Sequence, residues 1–142
     1  MRRVVSGQFE LNLPAHEAIR FFTPEEERRW VPGWSPTYPA GEPSETPGTV
    51  FTTEAGGGVT VWLIQLIDTN GCTAEYSRVT PGRHAGTVRV RCDDASYGGC
   101  VVSVTYDMSL LPGSDPTALD PYKDDAFEAM MSQWSEAIRH NL

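Results

Sequence analysis

Between Thr49 and Leu111 the sequence is a succession of short runs with the two-residue rhythm of β-strands, and only after them comes one long stretch with a helical rhythm. That order, a block of strands and then a single helix to cover them, leaves few folds open. Val50 to Glu54 is one expected strand, stopped by Gly56-Gly57-Gly58. Val59 to Ile67 is the next, apolar on both faces. Asp68-Thr69-Asn70-Gly71 is a hairpin turn, with Gly71 expected in the left-handed position. Thr73 to Thr80 follows, and Pro81-Gly82 turns the chain again. Thr87 to Cys92 sets Val88 and Val90 against Arg89 and Arg91. After a loop over 93–99, Val101 to Leu111 sets Val102, Val104 and Tyr106 against Ser103, Thr105 and Asp107. If Cys92 faces Cys100, Val90 lies opposite Val102 and Val88 opposite Val104, so both strands turn their apolar sides to one face.

Val4 to Leu13 reads as a first strand, with Phe9, Leu11 and Leu13 on one side. Pro14 fits the first position of a short helix running to about Phe22, where its missing N–H costs nothing. Thr23-Pro24-Glu25-Glu26 reads as a second helix start, with Thr23 as cap and Glu26 closing a capping box; this helix runs to about Trp30. Five prolines between residues 31 and 48 exclude a helix or a central strand there and predict an ordered loop, with one edge strand near Trp34 to Tyr38. Pro112 to Pro121 is a loop, and the last helix is expected to begin at Asp120-Pro121, or as early as Pro116. Phe127, Met130, Met131, Trp134 and Ile138 form its apolar stripe, opposite Asp125, Glu128, Gln133 and Glu136. No composition shift or repeat divides the chain, so residues 1–142 are expected to form one domain.

Composition narrows the function classes. Nineteen acids against eleven bases give a formal charge of −8. That balance argues against a nucleic-acid partner and against docking on anionic lipid. The longest nearly apolar run, Val59 to Ile67, is too short to span a bilayer. Met1-Arg2-Arg3 is followed by two valines and then Ser6-Gly7, without a signal-peptide core, and the cytoplasm is the expected compartment. Cys72, Cys92 and Cys100 have no C-x-x-C spacing and form neither a zinc motif nor a disulfide framework. His16-Glu17 opens like a zinc-protease helix, but Arg20 stands where the second histidine belongs. Gly56-Gly57-Gly58 lacks the Lys-Ser/Thr of a phosphate loop, and no G-x-S-x-G elbow occurs. No metal and no cofactor are expected.

The order of strand, two short helices, antiparallel meander and long amphipathic helix resembles the START-like, helix-grip (SRPBCC) superfamily, which includes the birch-pollen-allergen fold and lipid-transfer START domains. Glu75-Tyr76-Ser77-Arg78-Val79-Thr80-Pro81-Gly82, Gly86-Thr87-Val88-Arg89-Val90-Arg91-Cys92 and Val104-Thr105-Tyr106-Asp107 look like the small bacterial polyketide cyclase/dehydrase and lipid-transport-like proteins. The resemblance covers nearly the whole chain. It implies an α+β fold, with a curved antiparallel sheet wrapped around the C-terminal helix and an apolar cavity between them, closed by the two short helices and nearby loops. It also implies a small hydrophobic partner, lipid-like or aromatic and polyketide-like, taken by a monomer or homodimer.

Candidate cavity residues follow from the strand faces. Met130, Met131 and Trp134 form the helix wall, or else plain core. Trp30, Trp34 and Tyr38 are lid residues, or else pins that hold the proline-rich loop to the sheet. Phe51, Trp62, Ile64, Val88, Val90, Val104 and Tyr106 are the inward strand positions. Tyr76 and Arg78 share a face whose direction depends on the turn at Asn70-Gly71. A two-residue loop pairs Thr69 with Cys72 and sets them beside Gln65 and Leu63. A three-residue loop, favoured by the type I turn that Asp-x-Asn-Gly suits, pairs Asp68 with Cys72 and sets them beside Ile64 and Trp62. An inward Arg78 would meet a carboxylate, sulfate or enolate of a ligand; an outward one is an ordinary sheet arginine. Three readings stand together: a carrier, a cyclase or aromatase with Tyr76, Arg78 or Tyr106 polarising a carbonyl, and an interaction module with a vestigial cavity. An ionisable group facing the cavity separates the second from the first.

Overall fold

Alternating residues from Arg2 onward build a six-stranded antiparallel sheet in the computed structural model, which describes residues 1–142. The strands are β1 (Arg2–Leu11), β2 (Val50–Ala55), β3 (Gly58–Asp68), β4 (Thr73–Thr80), β5 (His84–Asp94) and β6 (Cys100–Leu110). Their order across the sheet is β1-β6-β5-β4-β3-β2, so only the contact of β1 with β6 joins strands distant in sequence. Between β1 and β2 the chain forms a short helix α1 (Ala15–Ala18), continued as a 3-10 turn over Ile19–Phe22, and a second 3-10 turn over Glu26–Arg29. After β6 come a 3-10 segment, Pro116–Tyr122, and the long helix α2 (Asp124–Arg139). The sheet curves around α2 in the expected α+β arrangement. No helix is long and apolar enough to cross a membrane.

The faces expected from period two are the faces observed. In β6 the even positions from Cys100 to Met108 are buried and the odd ones are not. In α2, Phe127, Met131 and Ile138 are buried, and Met130 and Trp134 are half-buried beside them. The closest approach of helix and sheet is at Gly7 in β1, where an added Cβ would lie 2.8 Å from Met131 Cγ and 3.1 Å from a Phe127 ring carbon. A side chain there would push α2 off the sheet.

Several boundaries differ from expectation. Cys92 pairs with Val102, not with Cys100, and Val90 and Val88 pair with Val104 and Tyr106. The hairpin closes around Ala95–Gly99, and a slip of two residues keeps every apolar side chain on its face. Between β3 and β4 the pairing at the turn is Asp68 with Thr73, a longer loop than either expected one. An irregularity between Ile64 and Leu66 takes up the extra residue and restores Tyr76 beside Ile64 and Arg78 beside Trp62. Cys72, not Gly71, carries the positive φ of that turn, at 55°. The edge strand expected near Trp34 to Tyr38 is a single bridge between Thr37 and Thr52. Pro14 sits before the first helical residue with an extended ψ of 153°, and the Asp94 carboxylate of β5 accepts from the Ala15 N–H, otherwise unpaired at the helix start, at 2.8 Å. Thr23 Oγ1 does accept from Glu26 N–H, at 3.4 Å, but the Glu26 side chain turns to Arg29 instead of completing the box. α2 begins at Asp124, because residues 116–122 form their own 3-10 segment under an Asp115 cap.

Candidate functional site

The curved sheet, the second 3-10 turn and α2 leave one small apolar cavity. Its wall is Glu27, Val31, Trp34, Phe51, Trp62, Tyr76, Val88, Val90, Tyr106 and Trp134. About 60 Å³ is open to the centres of water molecules, and about 470 Å³ lies between atom surfaces once the mouth is included. Register explains the sheet part of the wall. Phe51 pairs with Trp62 across β2 and β3, Ile64 with Tyr76 across β3 and β4, Tyr76 with Val88 and Val88 with Tyr106 across β4, β5 and β6. These inward positions form one continuous row.

The aromatic rings meet mostly edge to face. Phe51 and Trp62 are parallel, with centroids 5.7 Å apart. Trp34 stands at 67° and 69° to them, and Tyr76 at 89° and 86°. Trp134 reaches across from α2 to Trp30 at 5.5 Å and to Tyr106 at 6.4 Å. Three polar tips fasten the mouth. Trp30 Nε1–H donates to the Phe21 carbonyl at 2.8 Å, Trp34 Nε1–H to Pro24 at 2.8 Å, and the Tyr76 hydroxyl to Phe22 at 2.5 Å.

The structure brings eight of the fifteen expected positions onto this wall: Trp34, Phe51, Trp62, Tyr76, Val88, Val90, Tyr106 and Trp134. The other seven lie elsewhere. Ile64 and Val104 are fully buried in core. Trp30 is core beneath Phe22 and Trp134, and Tyr38 is buried at the loop with its hydroxyl on Glu25 at 2.8 Å, so both pin the loop. Met131 lies over Gly7 between β1 and α2, and Met130 packs at the margin of the core, because the curvature brings the sheet against that end of the helix. Arg78 points inward but lies outside the wall, with its guanidinium carbon 4.5 Å from the Trp62 ring centroid. Its Nε is buried without a hydrogen-bond partner, as is His84 Nδ1 on the neighbouring strand. Burial lowers the His84 pKa, and the Arg78 charge adds to that. Burial raises the Tyr106 hydroxyl strongly, with Arg78 opposing it.

Glu27 and Val31 are the wall residues that the strand and helix patterns do not single out. Glu27 stands between Glu26 and Arg28 in a run that reads as a solvated turn. No spacing signal marks it, because the 3-10 turn ends at Arg29 and Val31 and Trp34 reach the cavity from the loop beyond. Glu27 makes no side-chain hydrogen bond or ion pair with the protein, although Glu25 pairs with Arg28 at 3.1 Å and Glu26 with Arg29 at 2.9 Å. Burial pushes its carboxyl up to about 8, so it carries a proton at neutral pH. The Tyr76 hydroxyl, already raised by burial, is raised further by Glu27. The cavity therefore offers aromatic faces, one carboxyl and no other ionisable group below the tyrosines.

A larger hollow of about 570 Å³, open to solvent, lies among Glu17, Arg20, Glu26, Arg29 and Glu45, where the charges of both signs largely offset one another. No cluster of His, Cys, Asp or Glu is placed to hold a metal ion.

No family model matches the sequence, and no curated protein matches it. Solved structures do resemble it. The chain superposes on Ara h 8.0201 with a TM-score of 0.73 at 15% identity, covering 99% of this chain and 97% of that one. It superposes on the Zhui aromatase/cyclase from Streptomyces sp. R1128 at 0.69 and 13% identity, covering 100% and 97%. Norcoclaurine synthase from Thalictrum flavum gives 0.69 at 12% identity, covering 98% and 87%. Identities this low speak for architecture alone, and with the six-stranded grip on α2 they establish that the chain has the START-like, helix-grip fold.

Proposed function

We propose that this protein binds a small, largely apolar ligand in the cavity between sheet and α2. The observation that carries the reading is the wall itself, nine hydrophobic residues and a single polar one around a space that the fold leaves unfilled. The cavity is narrower than the roughly 300–1,000 Å³ usual for drug-sized ligands, so the ligand is small or moves Trp34 and Trp134 aside. A structure of norcoclaurine synthase in complex with dopamine and hydroxybenzaldehyde, at a TM-score of 0.66 and 10% identity, supports the reading by showing small aromatic molecules held by this fold.

Native mass spectrometry of freshly purified protein tests it. The expected result is a mass excess that disappears on denaturation, with a small molecule recovered from the extract. Because Trp34, Trp62 and Trp134 line the cavity, small aromatics should also quench the intrinsic fluorescence. A bare mass together with fluorescence unmoved by a panel of monocyclic and bicyclic aromatics would refute the reading.

A second reading, an enzyme of the aromatase or cyclase kind, is favoured by Glu27. An enzyme needs an ionisable group at its ligand, and Glu27 meets that requirement on the wall, where it can give or take a proton near neutral pH. The Tyr106 hydroxyl, on the same wall, would then polarise a carbonyl. Turnover of an aromatic or polyketide-like substrate that is lost in Glu27→Gln while binding persists is the result that separates this reading from the carrier.

A further inference from the structure

We propose that the ligand carries an organic ammonium group, held by the Glu27 carboxylate among the aromatic side chains Trp34, Tyr76 and Trp134. The proposal rests on the cavity-binding reading and names the class of ligand.

Glu27 is the one side chain of its turn that finds no partner. Glu25 holds Arg28 and the Tyr38 hydroxyl. Arg28 also donates to the Pro36 carbonyl at 2.8 Å, and Arg29 donates to Glu26 and to the Asn141 carbonyl at 3.1 Å. The turn is thus fixed from the loop side and from the end of α2, and Glu27 is aimed into the cavity without protein contacts to hold it there. Its carboxyl is half-buried at the mouth of the cavity and bonded to no protein donor. It is therefore free to pair with a cationic group that enters there.

The rings decide which group. Trp34 and Tyr76 stand nearly perpendicular to the stacked pair of Phe51 and Trp62, and all four side chains line the cavity. Aromatic faces are negative and attract cations, most of all quaternary ammonium, whereas they add little to a carbonyl. Trp62 already holds one cation, the Arg78 guanidinium, from the β4 side. Arg78 lies outside the wall and leaves the Glu27 end for the ligand. The net charge of −8 draws cations toward the molecule.

Proton balance gives the proposal its signature. At neutral pH the free carboxyl holds a proton. An ammonium ion entering the cavity pairs with the carboxylate, and that proton leaves to bulk solvent. The titratable groups coupled to Glu27 are the Tyr76 and Tyr106 hydroxyls, both pushed up by burial, and neither titrates in the same range.

The test compares benzyltrimethylammonium, which cannot titrate, with its neutral carbon isostere neopentylbenzene, by tryptophan fluorescence between pH 6 and 8.5. For the wild type, the ion should bind at least tenfold tighter than the isostere at pH 8.5, and its affinity should rise about tenfold per unit from pH 6 toward 8. Glu27→Gln should lose both the preference for the ion, read as the ratio of the two affinities, and the pH dependence. Equal binding of the two probes, or a pH dependence that survives in Glu27→Gln, overturns the ammonium proposal and leaves the cavity reading intact. Failure of both probes to bind at millimolar concentration overturns the cavity reading and the proposal together.

Discussion

The Arg78 guanidinium packs against Trp62, with its carbon 4.5 Å from the ring centroid, and its buried Nε donates to nothing. Trp62 lies on the strand between β2 and β4, so Phe51 and Arg78 flank it from opposite sides. No carboxylate reaches Arg78, and the nearest strand acids, Glu75 and Asp107, bind Arg89 and Arg2 on the outer face.

An inward charge without a protein counter-ion costs stability. Arg78→Met should therefore fold as the wild type does and melt at the same temperature or a few degrees higher. Because Arg78 lies outside the cavity wall, the variant should bind small neutral aromatics as the wild type does. Thermal melts beside titrations with a neutral aromatic check both halves; a strongly destabilised variant would mean that the stack on Trp62 outweighs the unpaired charge.

Glu27 gives stability a pH dependence of unusual sign. Its carboxyl ionises near 4.5 when unfolded and near 8 when folded. The native state thus holds a proton that the unfolded state has lost, and stability falls as pH rises from 4.5 to 8. The full displacement corresponds to about 5 kcal/mol at most, and water at the mouth cuts it to about 1–2 kcal/mol. Glu27→Gln should match the wild type at pH 4 and exceed it by that amount at pH 8.5 in urea titrations. Equal stability at both pH values would show that the carboxyl is solvated.

Trp134 joins Phe22, Trp30 and Tyr106, with one side toward the cavity. Trp134→Ala should cost about 3 kcal/mol, the lower end for a large core truncation, because the cavity already takes part of its surface. Denaturant unfolding measures it; a cost under about 1 kcal/mol would place Trp134 outside the grip.

Gly86 lies inward on β5 beside Arg78, and an added Cβ would strike the Asp107 carbonyl of β6. Gly86→Ala should destabilise the sheet by about 1–3 kcal/mol. Gly58→Ala is the control, since its Cβ would meet nothing closer than 3.8 Å, and it should stay within about 0.5 kcal/mol.

The three thiols should react in two classes. Burial raises all three thiols, but Cys92 and Cys100 are buried from the reagent whereas Cys72 is partly exposed on its turn. One fast and two slow reactions with a thiol reagent are expected, and three equivalents after unfolding. Fewer than three would reveal a disulfide.

Period two made the inward face legible before any register was known, since a slip of two residues at Cys92 and Cys100 left Val88 and Val90 facing the cavity. Tyr76 and Arg78 were legible for a weaker reason: the loop length was wrong, and the irregularity at Gln65 cancelled the error. Turn conformation was not readable, because Cys72 rather than a glycine takes the left-handed position. Met130 and Met131 share the helical stripe with Trp134, yet only Trp134 meets the cavity, since sequence spacing carries no information about where a curved sheet touches its helix. Glu27 was hidden by chemistry that usually marks solvent. Its identity argued for exposure, and only the tertiary placement of the turn over the sheet brings it to the cavity.

The three bonds from Trp30, Trp34 and Tyr76 converge on the carbonyls of Phe21, Pro24 and Phe22, a stretch of four residues. Two come from the turn and loop above the cavity and one from the floor of the sheet, so this stretch cannot swing away without breaking all three at once. For the proposed ligand, entry past this stretch should therefore be an activated, concerted opening rather than diffusion through a standing door, with an association rate that levels off as ligand concentration rises.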